Sequence, residues 1–78
     1  MNKEQLKKET IVLLAADIYQ DVYNYVGCWG DAVETIVSLA EEFEKELNWQ
    51  EGDERDYIEE LEKFEAKVIR ERFSLHQH

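Results

Sequence analysis

Apolar residues recur along this chain at the three- and four-residue spacing of a helix, and the recurrence breaks at two places. Those breaks hold the three glycines, Gly27, Gly30 and Gly52, and the chain has no proline. Three helices are predicted, over about residues 3–26, 32–49 and 54–73, followed by a tail at 74–78. On the first helix Ile11, Leu14, Ala15, Ile18, Val22, Tyr25 and Val26 share a face, with Glu9, Asp17, Gln20 and Asn24 opposite. Leu6 and Leu13 fall on that polar side, surplus to a single core. The second helix carries its stripe at Val33, Ile36, Ala40, Phe43 and Leu47. The third steps by 4, 3 and 4 through Tyr57, Leu61, Phe64 and Val68, a heptad-like seam of the kind that packs bundles.

At about 1.5 Å per residue, the three helices would be roughly 35, 27 and 30 Å long. Similar lengths and short connections favour antiparallel neighbours. The expected fold is all-α: one small domain over 1–78, a three-helix up-down-up bundle. The rival arrangement is a helical hairpin in which helix 3 completes a homodimer.

The stretch NYVGCWGDAVE, residues 24–34, holds the single cysteine and reads as the first corner. Gly27 suits the left-handed position that ends a helix. Asp31, with Glu34 three residues later, resembles a capping box for helix 2. Asp53 is expected to cap helix 3 in the same way. Trp29 and Trp49 read as lids over the two ends of the bundle, and Cys28 as a small apolar filler. An exposed Trp29 would instead be an interface anchor.

Charge changes the functional picture more than the fold. Nineteen acids face nine lysines and arginines, for a net −10. Residues 41–65 alone hold twelve acids against three bases, a local −9. Direct binding to DNA, RNA or an anionic bilayer needs the opposite sign. One cysteine excludes an internal disulfide and fits a reducing compartment. No run approaches the roughly 20 apolar residues of a membrane helix, and no secretory leader is evident. A cytoplasmic location is expected.

Candidate chemistry is sparse. No Glu-x-x-His, phosphate loop, calcium-loop register or nucleophile elbow occurs. Cys28, Asp31, His76 and His78 have zinc-ligating side chains, and an up-down-up chain would return the histidines to the first corner. Histidines on a terminal tail cannot preorganise a metal site, so neither metal nor cofactor is expected. Catalysis is not expected either.

Two functions remain. The first is a non-enzymatic protein–protein interaction module, an inhibitor or adaptor, binding a partner or a second copy through Leu6, Leu13, Tyr23 and Trp29. The second is a nucleic-acid mimic that presents Glu41, Glu42, Glu46, Glu59, Glu60 and Glu62 to a DNA- or RNA-binding protein. Carboxylate rows on two adjacent helices would approximate the charge density of the phosphate backbone.

Overall fold

The computed structural model describes residues 2–73, and these form three α-helices and no strand: α1 (Lys3–Val26), α2 (Trp29–Leu47) and α3 (Tyr57–Arg72). They make a small three-helix bundle about 42 × 24 × 17 Å across, in which α1 and α2 form the most extensive interface. The predicted tail, with His76 and His78, lies outside the described residues.

Each helix begins and ends for a local reason. Asn2 opens α1 by accepting a hydrogen bond from the Gln5 amide at 2.8 Å, occupying one of the donors a helix start leaves free. Gly27 closes α1 at φ 74°, a left-handed backbone that residues with a Cβ disfavour, and donates to the Tyr23 carbonyl at 2.7 Å. The next residue, Cys28, is extended and already caps α2 with its backbone.

The first corner is therefore two residues long, and α2 starts at Trp29 rather than Ala32. Gly30 is helical, not a turn residue. Asp31 is not the cap; it sits in the first turn, where its charge complements the helix dipole. Reversal at Gly27 is sharp enough that no further loop is required.

The second corner also departs from expectation. Asn48, left-handed at φ 46°, ends α2. Asp53 does not cap α3. Its carboxylate accepts from the Arg55 amide at 3.0 Å and from Arg55 Nε at 2.9 Å, folding residues 53–55 into a tight turn. Arg55 also donates to the Leu47 carbonyl at 2.8 Å, tying that turn to the end of α2. Asp56 takes the capping role, accepting from the amides of Ile58 and Glu59 at 3.0 and 3.3 Å. Two aspartates competed for one cap, and the arginine between them decided it.

The core corrects the reading of α1. Leu6, Thr10, Leu14, Ile18 and Val22 are buried, stepping by four. Four residues turn a helix by 400°, so such a stripe precesses about 40° per step and about 160° from Leu6 to Val22. A single flat face leaves Leu6 outside. The wound stripe buries it to 1% exposure. Leu6 is a core residue, not a surplus one, and Leu13 is half-buried against the same core. α2 contributes Ala32, Ile36, Leu39, Ala40, Phe43 and Leu47. The seam of α3 buries as predicted, with Phe43 meeting the rings of Tyr57 and Phe64 at 5.8 and 5.2 Å.

Contacts between α1 and α3 fix their register. Thr10 meets Tyr57, Asp17 meets Glu65 and Tyr25 meets Phe73. The sequence offset is nearly constant along the pair, so α3 runs parallel to α1. The chain goes up, down and up.

Candidate interaction surface

The two tryptophans have opposite fates. Trp49 is half-buried, edge-on to Tyr57 at 6.3 Å and covered by the Arg55 guanidinium at 5.8 Å, and it closes the lower end as expected. Trp29 is 70% exposed and covers nothing. It stands seven residues before Ile36, on the core-facing side of α2, but the core ends below it. Tyr25, 55% exposed, and Val33 extend the apolar surface on either side of the corner. Cys28 between them is exposed and is not core filler.

A second exposed apolar strip follows the outer side of α1 through Val12 and Tyr23, the latter tilted against Tyr19 at 6.1 Å. Of the four residues expected to bind a partner, Tyr23 and Trp29 are thus exposed, Leu13 is half-buried and Leu6 is enclosed. Val12 has no place in the expected interface, and Tyr25 and Val33, both expected in core stripes, are exposed instead. Tyr25 lies off the wound stripe that ends at Val22, and its ring meets Phe73 edge-on at 5.4 Å.

Half of the expected acidic face, Glu41, Glu42 and Glu46, pairs with cations on other helices. Glu41 pairs with Lys7 of α1 at 3.5 Å. Glu46 pairs with Lys67 of α3 at 2.9 Å, and Glu42 engages Arg72 through both carboxylate oxygens. The hydrogen bonds from Arg72 hold Glu42 below the usual carboxylate range, despite partial burial acting the other way. Glu59 and Glu60 both face Lys63, at 3.6 and 3.9 Å. Asp53, gripped by Arg55, is likewise held well below its ordinary value.

One carboxyl behaves oppositely. Glu65 is 8% exposed, and its Oε2 has no hydrogen-bond partner. Burial, followed by the neighbouring Asp17 and Glu62, pushes its pKa up to about 8. A sequence signal existed, since Glu65 stands four residues after Leu61 and three before Val68 in the apolar seam. Thr10 shows the same signal, four residues from both Leu6 and Leu14.

Among the described residues, no group of three or more histidine, cysteine, aspartate or glutamate side chains is arranged to hold a metal ion. No described helix is long and apolar enough to cross a membrane. No family model, curated protein or solved structure matches this chain.

Proposed function

We propose that this protein is a non-enzymatic, cytoplasmic interaction module that docks a protein partner at the Trp29 corner. The exposure of Trp29 carries the reading. A tryptophan left in water forgoes about 2 kcal/mol or more of burial, and aromatic side chains of this kind dominate binding hot spots. Tyr25 and Val33 provide apolar surface around it.

The partner's chemistry follows from the charges nearby. No lysine or arginine occurs in sequence between Lys8 and Lys45, a span that contains the whole corner together with Asp21, Asp31 and Glu34, and Arg72, which the fold brings to this end, is engaged by Glu42. A partner presenting an apolar pocket rimmed by lysine or arginine complements that surface, and the net charge would steer its approach. A second copy of the chain, carrying the same −10, fits less well.

Mimicry of nucleic acid has weaker support. Glu41, Glu42, Glu46, Glu59 and Glu60 already face a lysine or arginine of the chain itself. Affinity capture from native host lysate across a salt series separates the readings. A partner lost with Trp29→Ala but kept by a Glu59→Lys/Glu60→Lys/Glu62→Lys variant supports the corner. The reverse pattern, with displacement by added DNA, supports mimicry and overturns it. Capture of a second copy that survives Trp29→Ala points to self-association instead.

A further inference from the structure

Glu65 sits where α3 meets α1, enclosed to 8% exposure, with one oxygen lacking any partner. Opposite it is Asp17, within hydrogen-bonding reach. Independent contacts above and below, Tyr25 with Phe73 and Thr10 with Tyr57, put the two helices in the register that brings these carboxyl groups together. Two ionised carboxylates are acceptors only, so this pair can bond only when one carries a proton.

Neither carboxyl has a lysine or arginine one helical turn away on its own helix. The residues three and four positions from Glu65 are Leu61, Glu62, Val68 and Ile69, and those from Asp17 are Leu13, Leu14, Gln20 and Asp21. From α1, Asp17 acts on Glu65, and Glu9 acts on the adjoining Tyr57. From α3, Glu62 and Tyr57 are its neighbours, and no group of α2 figures among these interactions. The two charges that act on Glu65, those of Asp17 and Glu62, are both negative.

We propose that Glu65 and Asp17 form a proton-sharing latch: with one proton between them α3 is docked on α1, and loss of that proton releases α3 from the α1–α2 hairpin. The Glu65 carboxylic acid donates to the Asp17 carboxylate in the docked state. A base in solution removes the proton and leaves the buried Glu65 carboxylate facing the carboxylate of Asp17, which lies at the exposed edge of the contact. Release uncovers Leu61, Phe64 and Val68, together with the part of the hairpin they cover. The smaller interface of α3 makes it the element able to leave while α1 and α2 remain paired.

The direction with pH is fixed by linkage. Docked Glu65 holds its proton to about pH 8, whereas a solvent-exposed glutamate loses it near the ordinary 4.5. Docking is strongest below 4.5, weakens as pH rises from there to about 8, and levels off above.

Amide hydrogen exchange of the full chain, expressed as protection factors over pH 5 to 9, tests the latch. The α3 amides should lose about tenfold protection or more between pH 5 and 8, while those of central α1 and α2 hold. Glu65→Gln, which can donate but cannot ionise, should make α3 protection flat with pH. Asp17→Asn is an exposed change that lets an amide donate to the Glu65 carboxylate, and it should shrink the fall even where Glu65→Gln does not fold. Parallel loss in all three helices overturns the proposal, as does an unchanged profile in either variant.

Discussion

Thr10 of α1 and Tyr57 of α3 hydrogen-bond hydroxyl to hydroxyl inside the bundle, although 47 residues separate them in sequence. The Thr10 hydroxyl also contacts the Leu6 carbonyl at 2.8 Å. A carbonyl only accepts, so Thr10 spends its one proton on Leu6, and the Tyr57 phenol is the donor between the two side chains. Burial raises the pKa of that phenol, which keeps its proton in place.

The two ends of this bond should respond unequally. Tyr57→Phe leaves Thr10 satisfied by Leu6 and should cost about 1 kcal/mol. Thr10→Val strands a buried phenol and should cost about 1–3 kcal/mol. The double variant should lose less than the sum of the singles, because the stranded group is then gone. Urea unfolding midpoints of the four proteins check the order.

Leu6 and Val12 make a second contrast, on one helix and six residues apart. Leu6→Ala opens a hole in an enclosed site and should cost about 2–5 kcal/mol. A domain of this size has roughly 4–12 kcal/mol in total, so the variant should melt far lower or fail to fold at room temperature. Val12 is 66% exposed, and Val12→Ala should fall within about 0.5 kcal/mol of the parent. Thermal melts followed by circular dichroism distinguish them.

The same pair shows what could be read from the chain and what could not. Helix number, order and the seam of α3 follow from spacing, because a short stripe hardly precesses; in α2 the stripe holds from Ile36 to Leu47, but Ala32 and Leu39 are buried and Val33 is exposed. α1 is 24 residues long, and over that length a four-residue stripe winds far enough to exchange inside for outside at its ends. Leu6 was lost that way. Cap positions were misread because Asp53 and Asp56 are equally good caps, and only the arginine between them, paired in three dimensions, discriminates. Trp29 lies on the right side of α2 for burial; its exposure depends on where the core stops, which no pattern along α2 records. Glu65 was visible as an acid inside an apolar seam, but its meeting with Asp17 required the α1–α3 register.

Helix ends provide a third expectation. Gly27 is left-handed at φ 74°, and although a Cβ there would meet nothing within 4 Å, the backbone itself disfavours one. Gly27→Ala should therefore cost about 1–2 kcal/mol through strain alone. Asn48 occupies the equivalent position of α2 at φ 46°. Asn48→Gly should be neutral or gain a few tenths of a kcal/mol, the left-handed position being free of strain for glycine. Opposite signs from two like caps would be read as shifts in urea midpoint at constant slope.

Stability as a function of pH should be highest near pH 4.5, more acidic than for most proteins, because two sets of carboxyls act in opposite senses. Glu42 has a lowered folded pKa, so its contribution is present above the ordinary 4.5 and is lost as pH falls through the folded value. Asp53 acts in the same sense on the acid side. Glu65 has a raised folded pKa, so its contribution is full below 4.5 and is lost as pH rises to about 8. The two limbs can be removed separately. Glu42→Gln should soften only the acid limb, by under about 1 kcal/mol, because both partners of its ion pair are more than a third exposed and screened by water. Glu65→Gln should flatten only the limb between 4.5 and 8, leaving a protein more stable than the parent at pH 8. Urea midpoints from pH 3 to 9 for the parent and the two variants decide it, and a single optimum at neutral pH in all three would contradict the assignment of Glu65.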